Sequence, residues 1–507
     1  MAVRGHHLLA ALVLLTLAAS ATASGGRHHR DRGKAAARAR ARLELVPAAP
    51  HASLAARAID DRHRRAYIAA KLRRRAAEVV GASAFAMPLT SGAYTGTGQY
   101  FVRFRVGTPA QPFVLVADTG SDLTWVKCRR GQAAAAGDGD DEGSSSSSPP
   151  TARVFRPADS KTWAPIPCAS DTCTSYVPFS LANCSSATSP CAYDYRSPIE
   201  SYMCQVLMLT WRRIHYPCGD RYKDGSAARG VVGTDSATIA LSSGGGAGSA
   251  DISSRSRRAK LQGVVLGCTA SYDGDSFRSS DGVLSLGNSN ISFASRAASR
   301  FGGRFSYCLV DHLAPRNATS YLTFGSSSSS SSSAATTQFQ TPLLLDRRMS
   351  PFYAVSVAGV HLNGEQLDIP SAVWDVDQNG GAILDSGTSL TILATPAYEV
   401  LVEALSTHFA GVPRVSMDPF EYCYNWTGAA APPEIPRLEV EFAGSARLAP
   451  PAKSYVIDAA PGVKCIGVQE GAWPGVSVIG NILQQEHLWE FDLRDRLLRF
   501  KHTRCAQ

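Results

Sequence analysis

Val116-Ala117-Asp118-Thr119-Gly120-Ser121 and Ile383-Leu384-Asp385-Ser386-Gly387-Thr388 carry one pattern twice. In each, a short apolar run leads into Asp-(Thr/Ser)-Gly. Each then continues as Leu-Thr-apolar: Leu123-Thr124-Trp125-Val126 in the first copy, Leu390-Thr391-Ile392-Leu393 in the second. The two aspartates stand 267 positions apart (385 − 118), a spacing that suits two lobes rather than two turns of one lobe. A single Asp-Thr-Gly is ordinary turn chemistry; a matched pair behind two β-type runs is a stronger signal. The apolar run before each Asp predicts a buried strand that delivers the carboxylate rigidly. Gly120 and Gly387 permit a tight turn and present no Cβ to a partner loop. Thr119 and Ser386 place short hydroxyls where they can bind backbone across the junction, and Ser121 and Thr388 are placed to donate to the carboxylates. Two carboxylates that meet cannot both ionise cheaply, so one keeps a proton while the other accepts one. Such a pair titrates as a unit and can activate a water.

From Gly98-Gln99-Tyr100-Phe101-Val102 to the C-terminus the chain resembles the pepsin-type aspartic proteases, whose dyad is the familiar illustration of that shared proton. More narrowly it is similar to the plant nepenthesin-like group. The residues that carry the likeness are Val106-Gly107-Thr108-Pro109, the run from Asp118 to Trp125, Phe305-Ser306-Tyr307-Cys308-Leu309, and Val478-Ile479-Gly480-Asn481. The resemblance implies a mostly β, bilobal fold with the cleft between the lobes and a β-hairpin flap over it. It implies Asp118 and Asp385 as the catalytic pair, protein or peptide substrates, a monomer, no metal and no organic cofactor. Tyr222 is the expected flap tyrosine, reaching toward Trp125.

The basic composition, 51 Lys+Arg against 42 Asp+Glu over 507 residues, is unevenly spread. Residues 1–90 hold 16 basic and 5 acidic side chains, leaving 35 against 37 for residues 91–507. The main part of the chain is therefore slightly acidic, and a nucleic-acid partner is not indicated. Arg4, the apolar stretch from Leu8 to Ala19 and Ala21-Thr22-Ala23 read as a signal peptide cut after Ala23. That run is too short to span a membrane. Residues 24–90 are expected to be a basic prosegment that acts as an intramolecular inhibitor, the alternative being a disordered or transit-type tail. The expected destination is the secretory pathway, extracellular (apoplast) or vacuole, with the plastid as an alternative. Twelve cysteines behind a signal peptide suggest disulfides whose pairing the sequence leaves open. Sequons at Asn183, Asn290, Asn317 and Asn425 are candidate glycosylation sites.

Residues 91–345 are expected to form the N-terminal lobe and 346–507 the C-terminal lobe. The tracts 131–150, 243–250 and 326–333 read as solvated linkers. Strand-like alternation covers Phe101 to Val106, Phe352 to Val360 and Leu488 to Phe500; Ala397 to Phe409, opened by Thr395-Pro396, is the best helix. Two departures from the family pattern stand out. Residues 197–221 separate Tyr195-Arg196 from Tyr222, and their removal would restore an ordinary flap hairpin. The segment reads as a retained intron or gene-model error, the rival being a genuine insertion. Ser285 also stands where the family usually has Gly, so that a Cβ is expected to crowd the loop behind Asp118.

Overall fold

The computed structural model describes residues 40–47, 61, 65, 100–129, 153–177, 186–194, 227–242, 258–273, 280–311, 320–325, 338–428 and 433–505. The signal segment, Tyr222, the 197–221 insertion, Asn183 and Asn317 lie outside the described residues. Arg38–Gln507 forms one compact unit.

Strand Tyr100–Val106 shows how local pattern becomes sheet. Val102, Phe104 and Val106 are buried while Arg103 and Arg105 are exposed, the two-residue period of a pleated strand. It pairs antiparallel with strand Gln111–Asp118, Phe104 facing Phe113. Among the described residues these belong to a fourteen-stranded sheet. The sheet passes from Phe339–Pro342 through the C-terminal hairpin His487–Asp492 and Leu497–His502, then Arg304–Cys308 and Ser320–Phe324. It continues through Arg40–Pro47 and Tyr100–Val106 to the strand ending in Asp118. Arg40–Pro47, from the segment read as a prosegment, has partners on both sides: Leu43 faces Leu322 and Leu45 faces Val102.

The duplicated motif sits on duplicated strand geometry. Gln111–Asp118 runs parallel to Gly282–Ser285, with Val116 opposite Val283 and Asp118 opposite Ser285. Thr124–Lys127 joins the other side of that strand antiparallel, Trp125 facing Val283. In the second half Ala382–Leu384 runs parallel to Ser477–Ile479, with Ile383 opposite Val478. Thr391–Ala394 then joins antiparallel, Ile392 facing Val478. Trp125 and Ile392 each lie seven residues past their aspartate (125 − 118 and 392 − 385). Strands Gly282–Ser285, Thr124–Lys127, Ala382–Leu384, Thr391–Ala394 and Ser477–Ile479 are buried at every residue. That explains their continuous apolar runs.

The expected strand from Phe352 to Val360 is divided into Tyr353–Val355 and Val357–Leu362. The first pairs with Ala382–Leu384 and the second with Leu438–Phe442, so the chain changes sheets at Ser356 without interrupting its apolar pattern. Leu488 to Phe500 resolves into a hairpin whose turn places Arg496 at φ 53°. The expected helix is present as Thr395–His408 with Pro396 in its first turn. A second helix, Phe293–Phe301, was not anticipated. Ser292 caps it by accepting the Ser295 N–H at 3.1 Å, and Gly302 ends it at φ 81°, the usual left-handed helix stop. Disulfides join Cys128 to Cys268, Cys173 to Cys191, Cys308 to Cys505 and Cys423 to Cys465. Cys168 is also disulfide-bonded.

Candidate active site

Asp118 ends its strand and Asp385 follows directly on Leu384, so each carboxylate stands where a buried strand turns into its loop. Asp118 is 1% and Asp385 0% exposed. The Gly120 N–H donates to Asp118 Oδ1 at 2.9 Å, and the Gly387 N–H donates to Asp385 Oδ1 at the same distance. The two loops are tied to each other by a reciprocal exchange. Thr119 N–H donates to Ser386 Oγ at 3.1 Å, and Ser386 N–H donates to Thr119 Oγ1 at 2.9 Å. Each hydroxyl then donates to a carbonyl just before the opposite aspartate: Ser386 Oγ to Ala117 O at 3.0 Å, Thr119 Oγ1 to Leu384 O at 3.5 Å. The bracing expected of Thr119 and Ser386 is thus present.

The next hydroxyls differ. Thr388 Oγ1 donates to Asp385 Oδ2 at 2.7 Å, as expected. Ser121 Oγ donates instead to the main-chain carbonyl of Asp118 at 3.2 Å, which corrects the expectation that both would serve a carboxylate. Behind the loops the halves match again. Thr124 Oγ1 accepts the Ser285 N–H at 3.1 Å and Thr391 Oγ1 accepts the Gly480 N–H at 3.2 Å. The next amides differ: Leu286 N–H donates to Asp118 O at 2.8 Å, whereas its counterpart Asn481 N–H donates to Thr388 O, three residues past Asp385, at 2.7 Å.

Ser285 does not disrupt its loop. Its hydroxyl lies 2.8 Å from Thr124 Oγ1 and accepts the N–H of Phe293 at 3.1 Å, which couples the Asp118 loop to the start of a helix. Gly480 has no such latitude, because a Cβ there would lie 2.4 Å from Leu390 O.

Sequence reasoning missed several supports. Asn481 Nδ2 donates to Ser386 O at 3.0 Å, and the Tyr353 hydroxyl reaches from the second half to Leu286 O in the first at 2.7 Å. The Tyr307 hydroxyl donates to Gln484 Oε1, and Gln484 Nε2 donates to Ile479 O at 2.7 Å. Burial pushes the Tyr307 phenol well above its ordinary pKa, and the charge of Asp385 adds to the shift; Tyr307 is thus a neutral donor at every relevant pH. Asn481 and Tyr307 belong to quoted motifs, but their roles need the fold. Another missed residue is Asp61, 2% exposed, which accepts the N–H groups of Ser389 and Leu390.

Trp125 is fully enclosed, in a cluster with Phe101, Val116, Leu123, Tyr193 and Val283. Asn290 is exposed in a turn, while Asn425 ends strand Phe420–Asn425 half-buried, its Oδ1 accepting the Thr427 hydroxyl at 2.7 Å. Among the described residues no group of His, Cys, Asp and Glu is arranged to hold a metal, and no helix is long and apolar enough to cross a membrane.

Comparison with known families places the chain. A model described as "Xylanase inhibitor N-terminal" matches residues 100–209 and 213–326, and "Xylanase inhibitor C-terminal" matches 352–502. The chain is 29% identical over 429 residues to Aspartyl protease family protein 2 of Arabidopsis thaliana, covering 83% of this chain and 74% of that one. It is 25% identical over 418 residues to aspartic proteinase nepenthesin-2 of Nepenthes gracilis, covering 82% and 79%. Among solved structures it resembles edgp with a TM-score of 0.57 at 19% identity, covering 83% and 94%. It resembles basic 7S globulin from soybean at 0.55 and 17%, covering 92% and 98%.

Proposed function

Because this chain belongs to the pepsin-like plant aspartic protease family, we propose that it is a secreted aspartic endopeptidase made as a zymogen, with Asp118 and Asp385 as its catalytic pair. The observation that carries this reading is the reciprocal hydrogen bonding of Thr119 and Ser386. It ties the residues next to the two aspartates to each other, so that neither carboxylate can move independently of its partner. One member is ionised and takes a proton from a water; the water oxygen attacks the scissile carbonyl carbon. The protonated member gives its proton to the carbonyl oxygen, forming a gem-diol, and collapse with protonation of the amine nitrogen breaks the C–N bond. Thr388, donating to Asp385 Oδ2, favours the ionised form on that side. Substrates are extended peptides, Tyr222 closes the flap, and residues 24–90 restrain the enzyme before processing.

A second reading, a non-catalytic binding protein on the same fold, draws support from the likeness to soybean basic 7S globulin and from the inhibitor names of the family models. Retention of both aspartates and both glycines favours catalysis. The experiment is cleavage of a denatured protein at acid pH by acid-treated full-length chain, by Asp118→Asn and by a chain lacking 197–221, with and without pepstatin. Pepstatin-sensitive cleavage lost in Asp118→Asn is expected. Folded, processed protein without activity in either length would favour the binding reading.

A further inference from the structure

Asp61 belongs to the leader, plays no part in the proposed chemistry, and is nevertheless 2% exposed. Its two carboxylate oxygens are met by two consecutive backbone amides. Ser389 N–H donates to Oδ1 at 2.6 Å and Leu390 N–H donates to Oδ2. Burying a carboxylate is costly unless hydrogen bonds replace its hydration. Paired N–H donors supply charge-assisted bonds of the stronger kind. The amides lie four and five residues beyond Asp385, on the segment that runs from the Asp385 loop into strand Thr391–Ala394.

Their geometry does not depend on the leader. The peptide groups that carry these N–H donors end in Thr388 O and Ser389 O, and Thr388 O accepts the Asn481 N–H at 2.7 Å. Ser389 O also accepts the Ile482 N–H at 3.0 Å. With the carbonyl side of these peptides fixed by the 480–482 loop, the donor side is set in advance as a two-pronged site.

We propose that the N–H groups of Ser389 and Leu390 form a carboxylate-binding subsite on the Asp385 loop, which the leader fills with Asp61 as a tethered ligand. The contact is made by an acidic residue of a leader whose composition is mainly basic. It joins the leader to the segment that follows Asp385.

Hydrogen exchange of the full-length chain at neutral pH, read at Ser389 and Leu390, tests the subsite without reference to activity. Both amides are expected to be protected in the wild type. In Asp61→Asn and Asp61→Ala, near-ultraviolet circular dichroism should remain native while the two amides exchange about tenfold to a hundredfold faster, the scale of a lost hydrogen bond to a charged group. Wild-type amides that exchange as fast as exposed loops, or protection unchanged in a folded Asp61→Asn, overturn the proposal. The wild-type measurement decides it even if a variant misfolds. A second readout rests on the protease reading: uncut Asp61→Asn should cleave a peptide substrate faster than uncut wild type. Altered exchange with both chains inactive after processing would support the subsite and count against the protease.

Discussion

Ser386 uses one hydroxyl for two partners, accepting from Thr119 N–H and donating to Ala117 O. Ser386→Ala leaves both backbone groups unsatisfied in a buried site, a loss of roughly 2 kcal/mol. A lower denaturation midpoint with an unchanged denaturant slope is the expected outcome, read by urea titration. The residue scale also separates Thr388 from Ser121. On the protease reading, removing the donor to Asp385 Oδ2 in Thr388→Val disfavours an ionised carboxylate there, so the acid limb of the pH–rate profile is expected to move to higher pH. Ser121→Ala removes a bond to a carbonyl and should leave that limb in place while lowering stability slightly. Equal shifts in the two variants would contradict the asymmetry. The sequence made the two aspartates and their glycines legible because the motif is repeated. It could not separate Ser121 from Thr388, because a hydroxyl's choice between carbonyl and carboxylate is decided by rotamer and loop shape.

At the scale of elements, the two half-sites share strand order and register but differ at Ser285 and Gly480. Gly480→Ala would drive a methyl against Leu390 O, where backbone cannot yield, and is expected to prevent folding or lower the melting temperature severely. Ser285→Gly removes the acceptor of the Phe293 N–H and should cost about 1 kcal/mol while preserving the register of Asp118 with position 285. Differential scanning calorimetry of the two variants compares them directly. The strands were readable from apolar runs, and helix Thr395–His408 from its Pro and periodicity. Helix Phe293–Phe301 was missed although Ser292 and Gly302 mark its ends, because its buried face is short and half alanine, Phe293, Ala294, Ala297 and Phe301, and so gives a weak apolar signal. The split at Ser356 was invisible, since both strands keep one alternation and only their partners change.

For the whole molecule, Cys308–Cys505 spans 197 residues and fastens the last strands to strand Arg304–Cys308. A Cys308→Ser, Cys505→Ser chain should lose about 2–5 kcal/mol by the loop-entropy argument, seen as a lower unfolding midpoint under non-reducing conditions. His487, in the same region, sets an acid limit. Burial lowers its pKa, opposed by the Gln485 carbonyl, with His502 lowering it further. With the folded value below the unfolded value of about 6.5, the unfolded chain takes up the proton first as pH falls. The stability from a neutral His487 is therefore complete above that value and is lost as pH drops through the folded one. His487→Gln should flatten the melting temperature between neutral and mildly acid pH; an unchanged slope would contradict this.

The strand Arg40–Pro47 lies inside the great sheet, with Ser320–Phe324 on one side and Tyr100–Val106 on the other. A cut near Ser91 therefore does not by itself release it. Extraction would bare two raw edges where there had been none, and such edges recruit other chains. On the proposed zymogen reading, maturation then has two outcomes: a nicked heterodimer that carries its leader fragment as a permanent lodger, or a vacated slot refilled by another strand. Denaturing mass spectrometry of the native, processed particle distinguishes a two-polypeptide enzyme from a single one.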